Sequence, residues 1–162
     1  MHRFRLTIAL LTVVTAAFVF GAPAPADAAD PVATAETNWE GVTVNVMSVT
    51  RKGSILTVKF VALNESTDTQ KVAFGFTGND VCYAVDEESG TKYYVLTDKE
   101  GNPVASAKDW MPNSTSGLNR EIEPGKTLRV WMKFPAPPPE VSSISLVLNE
   151  TDPIEDVAIT DS

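Results

Sequence analysis

Three groupings in this chain of 162 residues bring together side chains of the kind that bind or react. Asp98, Glu100 and Asn102 place oxygen ligands at alternate positions, as the opening of a calcium loop does. Pro103 stands where that loop requires glycine, and its twelfth position holds Asp109 rather than a bidentate glutamate, so a hairpin turn is the expected role. Met47, Met111 and Met132 offer thioethers to a soft metal, but they are far apart in the sequence and Met132 falls on an apolar strand face. Core filling is the expectation for them. The third grouping is Trp131 between Arg129 and Lys133. Over 128–134, Leu128, Val130, Met132 and Phe134 leave a pleated backbone on one side and Arg129, Trp131 and Lys133 on the other. An indole on the wet face gains nothing from the core, and with flanking cations it suits contact with a protein or a carbohydrate. The competing expectation covers Trp131 with the irregular stretch 107–117, or stacks it on Arg129. Arg129, Trp131 and Lys133, with Trp110 from that stretch, form the expected contact surface.

The chemistry that is missing narrows the function further. His2 is the sole histidine and lies in the leader described below, so the processed chain holds none. Ser-His-Asp and Cys-His nucleophiles, His-based zinc sites and His/Met copper sites are thereby excluded within one processed chain. Cys82 is the only cysteine, which rules out an intramolecular disulfide, and no basic neighbour is evident to lower its pKa. An inert, partly buried thiol is expected. Acidic residues are plentiful, so a paired-carboxylate hydrolase stays open, although no motif singles out a pair. No catalytic residue, metal ligand or cofactor is assigned. Asn64, Asn113 and Asn149 begin glycosylation sequons that are expected to be chance matches.

The elements that position these residues begin after a leader. His2, Arg3 and Arg5 precede an apolar run over 6–22, and Ala26-Asp27-Ala28 supplies a small-residue cleavage site, so 1–28 reads as a secretory signal peptide. An uncleaved membrane anchor is the alternative reading. No cysteine stands at the cleavage point to carry a lipid. Cleavage leaves 134 residues, of which 11 are basic and 20 acidic, with a net charge of −9. Duplex nucleic acid and anionic membranes are poor partners for such a chain, and the dispersed acids suit a solubilising surface. The protein is expected to be secreted or held in the envelope, as a monomer with one domain over 41–162 after a flexible lead-in over 29–40.

Within that domain, Val42, Val44 and Val46 alternate with polar partners, Arg51-Lys52-Gly53-Ser54 turns the chain, and Leu56, Val58, Phe60 and Ala62 mark a return strand. Val72, Phe74 and Phe76 follow, then Val81, Tyr83 and Val85, and a hairpin over 86–90 leads to 92–96. Glu123-Pro124-Gly125-Lys126 launches 128–134 as a central strand, and the prolines at 135 and 137–139 stop it. Ile144, Leu146 and Leu148 form one more alternating segment, and 157–159 a last short one. Seven to nine short strands at roughly ten-residue spacing, with no helical pattern, predict an all-β fold. An antiparallel β-sandwich of immunoglobulin-like kind is preferred over a closed barrel, because strand lengths are uneven and the prolines suit edges.

The strands over 42–64, Tyr83 and Asp86 with Gly90, Lys92 and Tyr93, and Glu123-Pro124-Gly125 leading to Trp131 and Phe134-Pro135-Ala136-Pro137-Pro138 resemble the exported immunoglobulin-like domains of unknown function in bacteria. The mycobacterial immunoprotective extracellular proteins are among these. The shared motifs are turns, edge prolines and core aromatics, so the resemblance implies fold and export but no catalytic residue. The expected function is non-enzymatic surface recognition of an unidentified protein or carbohydrate. A carboxylate-based envelope hydrolase and an accessory subunit of an exported complex are the alternatives.

Overall fold

The computed structural model describes residues 30–78, 81–106, 109–110 and 116–162. The expected signal peptide over 1–28 lies outside them. The described residues form twelve strands and no helix. β1 (Ala33–Glu36), β2 (Val42–Lys52), β3 (Ile55–Asn64) and β9 (Thr127–Pro135) make one antiparallel sheet in that order. β12 (Thr160–Asp161) runs parallel to β2 along the edge that β1 also occupies. A second sheet runs β11 (Ile154–Ala158), β10 (Ser143–Val147), β5 (Tyr83–Asp86), β6 (Thr91–Tyr94), and a third runs β4 (Gln70–Thr77), β8 (Ser116–Ile122), β7 (Asp109–Trp110).

The apolar alternation explains why these sheets stack. Val42, Val44, Val46, Leu56, Val58, Phe60, Val130, Met132 and Phe134 are all buried on the inner face of the first sheet. The Phe60 ring meets Phe74 of β4 edge to face at 4.9 Å between centroids, and Phe74 meets Trp39 at 5.4 Å. The second and third sheets are tied together where Cys82 N–H donates to the Gly75 carbonyl at 2.9 Å. Nearby, the Asn149 Oδ1 accepts from Gly75 N–H at 2.7 Å. One continuous core results, and the sheets stay open, so the architecture is an antiparallel β-sandwich rather than a barrel.

Four features depart from the sequence expectation. Residues 33–36, read as lead-in, form β1 and pair with β2, and Ala35 among them is buried. β9 lies at the end of its sheet's ladder order rather than in its centre, which β3 occupies. β8 occupies a stretch whose sequence predicts no strand, and with β1, β7 and β12 it brings the strand number among the described residues to twelve against the seven to nine expected. β2 carries a bulge at Met47: Val46 pairs with Phe60 and Ser48 with Lys59, leaving Met47 without a partner.

The bulge shifts the phase of β2 and turns Arg51 inward, although it reads in the sequence as a turn residue. Arg51 is 7% exposed, and its guanidinium is fully engaged. Nε and Nη2 grip the two Asp161 carboxylate oxygens at 2.6 and 2.9 Å, and Nη1 donates to the carbonyls of Pro138 at 2.7 Å and Val141 at 3.0 Å. That fork stitches β2, the proline segment after β9 and the C-terminal strand β12 into one knot.

Candidate functional site

The outward face of the first sheet carries three of the four residues expected to form a contact surface. Trp131 pairs across the ladder with Lys59, Arg129 with Val61 and Lys133 with Thr57, so Lys59 joins the group that 128–134 alone revealed. Trp131 is 39% exposed, which is large for an indole in a sheet. The inward partners Val130, Met132 and Phe134 are buried, as the alternation requires.

A cleft of about 630 Å³ opens on this face, with Met47, Lys59, Val61, Leu63, Arg129 and Trp131 among its lining. Its floor is the β2–β3–β9 ribbon. The unpaired Met47 of the bulge supplies part of its wall, and Asp30 and Pro31 close the side nearest β2. A bulge that re-aims one side chain beside a binding site is a recurrent device.

The free edge of β9 is held in place by the segment that precedes β7. Trp131 N–H donates to the Ser106 hydroxyl at 2.9 Å and its carbonyl accepts from Ser106 N–H at 2.9 Å. Lys133 exchanges backbone bonds with Val104 at 3.0 Å and Leu96 at 2.8 Å. The strand that carries Trp131 is therefore bonded on both sides, and its backbone is a fixed platform rather than an open edge.

Charge on this sheet is segregated. β2, β3 and β9 contain Arg51, Lys52, Lys59, Arg129 and Lys133 and no aspartate or glutamate, in a chain with 21 acidic residues. Arg51 is spent on Asp161, but among the described residues Lys59, Arg129 and Lys133 form no ion pair. The one cation–π contact among the described residues is elsewhere, where Lys92 Nζ lies 4.5 Å from the Tyr83 ring centroid.

Trp110 stands apart from this group. It lies on β7, paired with Ser116, in the third sheet rather than the one that bears Trp131. The neighbouring positions 111–115, expected as possible cover for Trp131, lie outside the described residues. Met132 is buried in the core and Met47 lines the cleft, so these two thioethers do not converge; Met111 lies outside the described residues. The Asp98 carboxylate is consumed by its own turn: Oδ1 accepts from Glu100 N–H at 3.0 Å and Asn102 N–H at 2.7 Å, and Oδ2 from Asn102 Nδ2 at 3.0 Å. Those bonds, led by the Asn102 side chain, hold its carboxyl below the usual range.

Cys82 is fully buried, and desolvation pushes its thiol up to about 12, the wrong direction for a nucleophile. Asn64 is also fully buried, and Nδ2 donates to the Asp68 and Ile122 carbonyls, so its sequon does not present an accessible amide.

Two further surfaces escaped the sequence reading. Tyr83 and Tyr94 pair across β5 and β6 with centroids 5.8 Å apart, and Tyr94 is 53% exposed beside a second depression of about 560 Å³. A smaller recess of about 240 Å³ gathers Asp86, Glu87, Glu88, Glu140 and Asp156. Asp86, Glu87 and Glu88 are consecutive at the β5–β6 hairpin, and Glu140, from the segment before β10, and Asp156 of β11 join them only because β10 pairs with both β5 and β11. The Asp86 carboxylate accepts the Ser89 hydroxyl at 2.6 Å and Glu88 N–H at 3.1 Å. The Ser89 bond is the main reason its carboxyl sits below the usual range. A general acid at neutral pH needs the opposite shift.

No protein-family model, curated protein or solved structure matches the chain.

Proposed function

We propose that this protein is an exported, non-enzymatic β-sandwich of immunoglobulin-like kind that binds a partner protein or carbohydrate at or outside the cell envelope. The contact is made through the outer face of the β2–β3–β9 ribbon. The observation that carries the reading is the exposed Trp131, set on a fixed strand at the rim of a cleft of about 630 Å³ and ringed by Lys59, Arg129 and Lys133. Indole and guanidinium groups dominate the energetics of recognition surfaces, because each covers a large area with few rotatable bonds and carries a polar or charged handle. The leader-like 1–28 and the absence of histidine beyond it motivate export and the lack of catalysis.

A pull-down from the native culture with purified protein identifies the partner. Trp131→Ala then weakens that binding by roughly 2 kcal/mol or more, as truncation of an interface anchor does. Full affinity in the Trp131→Ala protein contradicts this placement of the contact surface.

The recess around Asp86, Glu140 and Asp156 supports a second reading, a small hydrolase with two carboxylates. The depressed carboxyl of Asp86 counts against its acting as the acid. Turnover of envelope polysaccharide that is abolished by Glu140→Gln would establish that reading instead.

A further inference from the structure

We infer that the cleft beneath Trp131 takes a single-chain carboxylate amphiphile, an apolar tail ended by one anionic head. This rests on the proposal that the outer face of the first sheet is a binding surface, and it adds to the partner that the face contacts a small ligand held in the cleft.

Size argues first for a small ligand. A concave volume of about 630 Å³ falls within the range of roughly 300–1,000 Å³ that small-molecule sites occupy, whereas protein partners dock on broader and flatter areas. The lining then argues for a tail. Met47, Val61, Leu63 and the Trp131 ring are apolar, and besides Asp30 and the two cations the polar side chains of the described lining are Asn45 and Thr127, of which Asn45 Oδ1 already accepts the Thr34 hydroxyl at 2.8 Å. A glycan needs several free donors and acceptors. An alkyl chain needs none.

The charges then argue for an anionic head. Lys59 lies directly across the ladder from Trp131 and Arg129 two residues along β9, and neither forms an ion pair among the described residues. No carboxylate of β2, β3 or β9 competes for them, although the whole chain carries a net charge of −8. Among the described residues the one acid that lines the cleft, Asp30, precedes β1, which β2 and β3 separate from Arg129 on β9. The arrangement therefore has a polarity along β3: the head lies at Lys59 and Arg129, diagonal neighbours on β3 and β9, where an Arg fork suits a carboxylate, and the tail runs from there over Val61 and Leu63.

The test titrates laurate, below its micelle concentration, into purified protein by calorimetry, with dodecyltrimethylammonium and dodecyl maltoside as cationic and neutral counterparts of the same tail. Laurate is expected to bind at least roughly tenfold more tightly than either, the worth of one charge-assisted contact. Lys59→Glu and Arg129→Glu should each remove that preference while melting like the parent. Equal binding of all three heads overturns the inference, since the groove would then select only for apolar surface. Binding of polygalacturonate in place of laurate also overturns it, but leaves the recognition site standing. Failure of laurate to bind, together with full affinity of Trp131→Ala for the partner recovered by pull-down, removes both.

Discussion

At the scale of the residue, two cations on the same sheet illustrate opposite fates. Arg129 stands in solvent beside Trp131, while Arg51 is turned inward and fastens the C-terminus through Asp161 and four carbonyls, those of Pro137, Pro138, Pro139 and Val141. Arg51→Met keeps much of the volume and removes the donors, so the Pro138 and Val141 carbonyls lose their partner. A destabilisation of roughly 2 kcal/mol in urea unfolding is expected. The same pair sets an acid limit on the C-terminal strand. The hydrogen bond from Arg51 holds the Asp161 carboxyl below its ordinary value of 3.8. Its contribution to folding is therefore complete above the unfolded value and lost as the pH falls through the lower, folded one. Amide exchange at 160–162 should accelerate only below about pH 3.8, and Asp161→Asn should show the fast exchange at every pH. Acceleration beginning near neutrality would show that another group governs the latch.

Among the elements, β2 is the most informative because its ladder contains one residue too many. Val46 and Val49 both face inward with Met47 and Ser48 between them, so deleting Met47 leaves a regular strand with Val49 and Arg51 still inside. The deletion should change stability by less than about 1 kcal/mol, since no paired or buried group is lost, yet it removes a wall of the cleft and should weaken ligand binding. Unfolding of the deletion variant would mean that the bulge serves the fold instead. That same extra residue explains what the sequence conceals. Strict alternation from Val42 places Arg51 outward, and no local signal marks the phase shift. β9 and the β2–β3 hairpin were legible because they have one dry and one wet face over seven or more residues. β8 was not, because its sequence Ser-Gly-Leu-Asn-Arg-Glu-Ile buries Leu118 and Ile122 but places exposed Arg120 between them. β1 was hidden by its small residues, of which Ala35 alone is buried and Ala33 packs against the core only in part. Of the contact surface, the cations and Trp131 on β9 were readable. Lys59 joins them only through the pairing of β9 with β3 and Met47 only through the bulge in the pairing of β2 with β3, and the sequence gives no sign that Trp110 belongs to a different sheet.

Across the whole molecule, the sandwich divides its work between the two faces of the first sheet. The inner face holds the fold by the close packing of its buried side chains, so cavity formation there is costly. Phe60→Ala and Phe134→Ala should each lose on the order of 3–5 kcal/mol in urea unfolding. The proposed export would place the outer face where it can meet partners, and amino-terminal sequencing of envelope or extracellular protein should then begin at or within a few residues of Ala29. A cytoplasmic protein starting at Met1 would contradict that placement. The central claim is that Trp131 serves contact rather than cohesion, and the unfolding free energy of Trp131→Ala addresses it most directly. An indole that the fold does not need should cost less than about 1 kcal/mol on removal. A loss of roughly 3–5 kcal/mol, the toll of a buried aromatic, would make Trp131 part of the packing and contradict the account.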